Sequence, residues 1–327
     1  MLKIAVMGAG HLGKIHLRLL QELPEYELVG FYDPDDQNAL EAAEKFGVKR
    51  FEDWQELIDQ VTVVDIVTPT VSHFSCASLA VEKGKHIFIE KPLTNTLSEA
   101  ALLIDMVAEK GVKAQVGHVE RFNPAYLSIQ NQKIKPVFVE SHRLAQFNPR
   151  GTDVSVVFDL MIHDLDILLN LIQSPVSEIR ASGVGIVSNS IDIANARIAF
   201  VNGCVANVTA SRLSLKNMRK MRVFQPDAYL TIDFLEKKSQ IFQLTDQPMD
   251  HFSMEIDKGD QSSNQYITLQ EPAVPDVNAI QMELALLAKS ILEDTPTAVP
   301  LEDGYAVMDL ATKIMQQIEA NIRLTLV

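Results

Sequence analysis

The sequence predicts an α/β chain: a doubly wound parallel sheet first, then an α+β domain on a mostly antiparallel or mixed open sheet. Three observations predict it. Short apolar strands alternate with helix-length amphipathic segments up to about residue 120. From about residue 177 to 244 strands follow one another without intervening helices. The 327-residue length fits two domains at roughly 100–200 residues each. The expected division is 1–120 and 121–327.

In order, 3–7 is an apolar strand, and 11–23 a helix with Leu12, Ile15, Leu19 and Leu20 on its apolar side, stopped by Pro24. A strand at 28–32 precedes a short helix at 38–46, with Gly47 at the left-handed position that ends it. One or two helical turns at 54–58 lead to a strand at 63–67 and a helix at 72–82 that ends at Gly84. A strand at 86–89 and a helix at 98–109 follow, the helix capped by Ser98 and closed by Gly111, and 113–117 is the next strand. Residues 136–147 are β-rich, and 156–172 form one strongly apolar helix. Strands are expected at 192–200, 203–211, 219–224, 229–234 and 240–244, a loop at 249–275, and closing helices at 278–292 and 303–323.

Composition narrows the function. Apolar residues make up 47% and charged residues 22%, an ordinary globular mix. With 29 Lys+Arg against 43 Asp+Glu the net charge is −14, which repels phosphate backbones and anionic lipid, so no nucleic-acid or membrane partner is expected. A helix N-terminus can still hold a small anion locally. The two distant cysteines, Cys76 and Cys204, fit reduced thiols and a cytoplasmic location. No apolar run approaches the roughly 18 residues of a membrane span, and the first residues read as a strand rather than a signal-peptide core.

Gly8-Ala9-Gly10-His11-Leu12-Gly13 fits G-x-G-x-x-G between the first strand and the first helix. Gly8 permits the tight turn, Gly10 the close approach of a pyrophosphate, and Gly13 the packing of helix on sheet. Asp33 follows 20 residues after Gly13, where a carboxylate accepts ribose hydroxyls and repels a 2′-phosphate; no Arg or Lys intervenes before Lys45. NAD is therefore expected over NADP, while Asp33 as a cap before Pro34 is the structural alternative.

Glu90-Lys91-Pro92 ends the 86–89 strand, on the side where open α/β sheets bind ligands. Lys91 there can hold a hydroxyl and favour an alkoxide; a surface lysine in a turn is the plainer reading. In the 156–172 helix, Asp159, His163 and Asp166 stand at i, i+4 and i+7, expected on one face. Buried ionisable groups in so apolar a helix are paired or functional. Histidine suits proton transfer, and a carboxylate one turn away can orient it. A buried His–Asp hydrogen bond is the alternative; no Cys/His spacing suggests zinc, and no metal is expected.

Together these motifs resemble the Gfo/Idh/MocA oxidoreductases (glucose–fructose oxidoreductase, inositol dehydrogenase, MocA) over nearly the whole chain. The resemblance implies a Rossmann NAD-binding domain and a catalytic Lys91, Asp159 and His163. It places Thr68, Pro69 and His73, with Gly8, Gly10, His11, Leu12, Gly13, Asp33, Glu90 and Lys91, along the cofactor cleft. The glycine-rich run many members carry before the aspartate is here 153–158, Asp-Val-Ser-Val-Val-Phe, and a later glycine is Met161. With Gly117-His-Val-Glu-Arg-Phe-Asn-Pro-Ala125, this looks like the branch of UDP-N-acetylglucosamine 3-dehydrogenases. That implies oxidation of a sugar 3-hydroxyl, with Arg121, Asn123 and Arg143 joining Lys91, Asp159 and His163 around the substrate. Arg121, Asn123 and Arg143 are equally readable as junction hydrogen-bonders. The resemblance also implies a homo-dimer or homo-tetramer paired through the C-terminal sheet. Dehydrogenation of a free sugar or inositol-type polyol is one rival; a non-catalytic NAD-binding regulator is another, against which the complete Lys91, Asp159, His163 set argues.

Overall fold

The computed structural model describes residues 1–148, 154–249, 252–256 and 265–325, the side chains of 323–325 excepted. Asp153 therefore lies outside the described residues. Two compact units emerge: Met1–Phe122 with Val277–Asp309, and Asn123–Asp276 with Leu310–Val327.

The first unit holds β1 (Leu2–Met7), α1 (His11–Glu22), β2 (Tyr26–Tyr32), α2 (Asp36–Phe46), α3 (Trp54–Asp59), β3 (Val63–Ile66), α4 (His73–Glu82), β4 (His86–Glu90), α5 (Leu97–Lys110) and β5 (Ala114–Gly117). The strands form one parallel sheet in the order β2-β1-β3-β4-β5. Alternate residues of β1 enter two separate cores, Ala5 and Met7 one, Ile4 and Val6 the other. Helices thus cover both faces, which is why these strands are almost wholly apolar. Strand order reverses between β1 and β3, and the crevice beyond their carboxyl ends is where such sheets bind ligands.

The second unit holds α6 (Pro124–Leu127), β6 (Phe138–Leu144), a π-helical turn at Val157–Met161, α7 (Ile162–Ile172), β7 (Val176–Val184), β8 (Ile193–Phe200), β9 (Val205–Ser211), β10 (Met218–Gln225), β11 (Ala228–Asp233), β12 (Lys238–Thr245), β13 (Ser253–Ile256) and β14 (Gln265–Gln270). Nine strands run in the order β13-β14-β12-β11-β10-β6-β9-β8-β7, antiparallel except for the β6–β9 pair. Val139, Ser141, Arg143, Met221 and Val223 are buried on one face of the sheet. The other face carries a half-exposed aromatic row, Phe138, Phe224, Tyr229 and Phe242, with neighbouring ring centroids 4.7–5.8 Å apart.

Three expectations change. Residues 249–275 are not simply loop: β13 and β14 lie there, and β14 (Gln-Tyr-Ile-Thr-Leu-Gln) is held by five-residue pairing with β12. The cap of α5 is Thr96, not Ser98; Thr96 Oγ1 accepts from Glu99 N and Glu99 from Thr96 N, a reciprocal capping box that Ser98 cannot make. The chain after 120 is not all second unit. Helix α8 (Ala279–Leu292) buries Leu284, Leu287 and Ala288 against Ile4, Val6, Phe31 and Phe88 of the first sheet. Helix α9 (Leu301–Thr325) begins in the first unit and ends in the second.

Candidate active site

The loop between β1 and α1 is shaped by its glycines. Gly8 has φ +99°, and a Cβ there would sit 2.7 Å from the Val67 carbonyl oxygen; at Gly13 it would sit 2.0 Å from that of Gly8. At Gly10 nothing lies within 4 Å, so the space before the helix is open. Gly10 caps α1 without any side-chain hydrogen bond, leaving the first-turn N–H groups of His11, Leu12 and Gly13 aimed at that space.

Asp33 ends beside this loop, 6% exposed. Its Oδ2 accepts from Ala9 N at 2.6 Å and its Oδ1 from Asp35 N at 2.8 Å. Capping of α2 falls instead to Asp35, whose Oδ1 accepts from Asn38 N. A carboxylate offers about four lone-pair sites, so Asp33 can still accept two ribose hydroxyls. The Arg50 guanidinium, which could attract a 2′-phosphate, is engaged by Asp36 at 2.6 Å and Glu52 at 3.6 Å. After β3, Thr68 Oγ1 is buried with no hydrogen-bond partner among the described residues, an orphan that suits a ligand hydroxyl or amide. Open glycine, free helix N–H groups, acidic strand end and orphaned hydroxyl together fit a dinucleotide.

His73 departs from the cofactor-contact expectation. It is 1% exposed, with Nδ1 2.9 Å from the Pro92 carbonyl oxygen and Nε2 2.9 Å from that of Thr68. The ring ties two loops together rather than presenting itself to a ligand. Burial pushes its imidazole below the ordinary histidine range; a neutral ring donates to one of these carbonyls and a protonated one to both.

Lys91 stands immediately beyond β4, half-buried, before a cis peptide to Pro92. Its N–H donates to Glu90 Oε2 at 3.1 Å. The Glu90 side chain lies over Gly117, where a Cβ would meet the carboxylate at 2.9 Å.

Asp159 and His163 belong to the second unit. Asp159 lies inside the π turn and His163 in the first turn of α7, both half-buried. Asp166, in the same helix as His163, is fully buried. The π turn closes i→i+5, so the regular 100° progression breaks between Asp159 and His163. The turn is anchored from outside: Val156 N donates to Ile191 O, and Phe158 N and Asp159 N both donate to Ser155 O.

Three expected substrate contacts are committed elsewhere. Arg121 donates to Asp303 Oδ2 at 2.7 Å. Asn123 caps α6 through Ala125 N and donates to Phe234 O. Arg143 is 3% exposed and donates from Nε to Asp164 Oδ2 at 2.6 Å, with Ser141 on the other carboxylate oxygen. In each case an acceptor inside the same unit engages the polar group. Conversely, the sequence reading overlooks His16 and Asp65, which meet the Glu90 side chain under the glycine loop. The signal was there: an aspartate inside the otherwise apolar strand Val-Val-Asp-Ile must find a partner.

Among the described residues no group of three or more His, Cys, Asp or Glu could hold a metal ion, and no helix is long and apolar enough to cross a membrane.

Comparison with known proteins agrees with this architecture. Residues 2–118 match the oxidoreductase family with an NAD-binding Rossmann fold, and residues 135–230 the GFO/IDH/MocA C-terminal domain. A UDP-N-acetylglucosamine 3-dehydrogenase of Acidithiobacillus ferrooxidans is 37% identical over 74% of this chain and 77% of its own. The scyllo-inositol 2-dehydrogenase (NAD(+)) of Bacillus subtilis is 33% identical over 65% of this chain and 68% of its own. A solved structure of the Acidithiobacillus ferrooxidans UDP-N-acetylglucosamine 3-dehydrogenase superposes with TM-score 0.87 at 31% identity, covering 98% of both chains. The glycine loop, the Glu90-Lys91-Pro92 turn and these matches over both units make the chain a member of the GFO/IDH/MocA family, an oxidoreductase with an NAD-binding Rossmann fold.

Proposed function

We propose that this protein is an NAD-dependent dehydrogenase that oxidises a hydroxyl of a nucleotide sugar, with the 3-hydroxyl of UDP-N-acetylglucosamine as the first substrate to try. What carries the reading is the 31% identity to a solved UDP-N-acetylglucosamine 3-dehydrogenase across 98% of both chains. NAD, when bound, supplies the hydride acceptor. The first-turn N–H groups after Gly10 hold its diphosphate, Asp33 its ribose hydroxyls, and Thr68 and Pro69 line the path beyond. Asp33, Asp35 and Asp36 around a paired Arg50 disfavour a 2′-phosphate.

Lys91, Asp159 and His163 are the proposed catalytic residues. His163 takes the hydroxyl proton on a ring nitrogen as general base. Lys91 Nζ stabilises the alkoxide oxygen as it forms. Asp159 orients the sugar or His163. The half-exposed sheet face with its aromatic row is the proposed pairing surface for a second copy of the chain.

The test begins with a thermal shift in NAD, NADP, and NAD with UDP or UDP-N-acetylglucosamine, since a ligand that binds the native state raises the midpoint by mass action. A rise with NAD and a further rise with the uridine compounds is expected, as is turnover of UDP-N-acetylglucosamine. Lys91→Ala and His163→Ala should each cut that turnover by about 10²–10⁴-fold with NAD binding retained; full turnover in either refutes its role. The similarity to scyllo-inositol 2-dehydrogenase favours a second reading, a free polyol substrate. A rise with NAD but none with UDP would select it.

A further inference from the structure

Under the glycine loop three ionisable side chains from three elements meet away from water. His16, on the inner side of α1, is fully buried, as is Asp65 in β3, and Glu90 at the end of β4 is nearly so. His16 Nδ1 lies 2.9 Å from Asp65 Oδ2, and His16 Nε2 lies 3.4 Å from Glu90 Oε1. The second contact is a close ion-pair approach rather than a well-aligned hydrogen bond. The other Glu90 oxygen, Oε2, accepts the N–H of Lys91. A chain of contacts therefore runs Asp65, His16, Glu90, Lys91 main chain. Gly117 is the floor that leaves room for the Glu90 carboxylate, and Phe88 borders the imidazole with ring centroids 5.8 Å apart.

We propose that His16 is a positioning residue for Lys91: as an imidazolium between Asp65 and Glu90 it fixes the Glu90 carboxylate, which in turn fixes the peptide from which the Lys91 side chain springs. His73 holds the chain just beyond Lys91, through the Pro92 carbonyl. The proposal rests on the reading of Lys91 as catalytic.

Charge supports the geometry. Two buried carboxylates facing one imidazole cost least when the ring carries a proton on each nitrogen. Burial opposes that charge, but the Asp65 carboxylate and then Glu90 outweigh it and hold His16 well above the ordinary histidine range. Removing the ring leaves two carboxylates without their shared cation, and Glu90 is then free to turn away from Lys91 N–H. The α1 helix carrying His16 is the one whose N-terminus opens on the glycine loop, so the same helix serves both the dinucleotide space and the Glu90-Lys91-Pro92 turn.

The experiment is a double-mutant cycle in turnover, with NAD and UDP-N-acetylglucosamine, on wild type, His16→Asn, Lys91→Ala and the double variant. His16→Asn should lower kcat about 10–100-fold with the Kd for NAD unchanged. In the Lys91→Ala background the same change should lower the residual rate less than about twofold, because the residue it acts through is gone. An equal loss in both backgrounds marks simple structural damage and overturns the proposal, as does unchanged kcat in His16→Asn. Normal turnover in Lys91→Ala alone overturns the reading of Lys91, and is distinguishable because His16 is then untouched. Should His16→Asn not fold, Glu90→Gln replaces it in the cycle, since it keeps an oxygen for Lys91 N–H but loses the charge that holds the imidazolium. A readout independent of substrate is the long-range ¹H–¹⁵N spectrum of the histidine rings at pH 8. Two protonated ring nitrogens on His16, assigned by their loss in His16→Asn, are expected; a singly protonated ring overturns the proposal.

Discussion

Gly10 and Gly13 are three residues apart and answer to different constraints. A methyl at Gly13 meets the Gly8 carbonyl at 2.0 Å, backbone against backbone, with nothing flexible to yield. A methyl at Gly10 meets no protein atom, only the volume proposed for the diphosphate. Gly13→Ala should therefore destabilise the fold by about 2–4 kcal/mol, seen in urea unfolding. Gly10→Ala should leave the midpoint within a degree or two while abolishing the thermal shift by NAD; an unchanged NAD shift would place the diphosphate elsewhere. This division was half legible. The spacing of three glycines with Asp33 announced the loop, but only the folded backbone separates a glycine required by packing from one required by a ligand. His73, Arg121, Asn123 and Arg143 show the same limit: their residue types suit ligand contact, and the fold also brings carbonyls and carboxylates within reach of them. Sequence spacing does not report which acceptor sits within 3 Å.

Among elements, the β7–β8 hairpin shows how a remote carboxylate supports the candidate site. Asp192, fully buried, accepts from the N–H groups of Ile186, Val187 and Ser188 and from Ser188 Oγ. Its neighbour Ile191 accepts Val156 N at the entry to the π turn, and Arg212 and Ser190 both donate to Val154 O. Burial alone would raise the Asp192 carboxyl, but the Ser188 hydroxyl and the three N–H donors hold it well below the usual carboxylate range. A depressed folded value means that its contribution is complete above the ordinary carboxylate pKa and fades as pH falls toward the folded value. Asp192→Asn should thus cost about 2 kcal/mol in urea unfolding at pH 7, and the gap from wild type should narrow below pH 4. A gap independent of pH would show that the charge is not what the hairpin uses. The π turn itself was unreadable from periodicity, because the apolar pattern of 156–172 still scans as one helix while the step from Asp159 to His163 is no longer regular. By contrast, the parallel strands of the first unit were plain, since burial on both faces makes each a continuous apolar run.

For the whole molecule, the net charge of −14 and the half-exposed aromatic row pull in opposite directions. Charge favours separate chains; Phe138, Phe224, Tyr229 and Phe242 favour covering that face. A dimer or tetramer is expected in light scattering, and Tyr229→Asp, which places a charge in the middle of the stacked row, should shift the mass toward monomer. A wild-type monomer would refute pairing through this face.

The first unit closes only when residues 277–309 return to it, with Leu284, Leu287 and Ala288 of α8 completing the core beside β1. During synthesis the nascent chain therefore cannot finish its nucleotide-binding half first and proceed to the next. Some 150 residues of the other unit, 123–276, are translated while the Ile4–Val6–Phe31 face still lacks its cover. A ribosome stalled at residue 122 should hold a protease-sensitive intermediate, and folding of the two halves is tied to the completion of one nearly full-length chain.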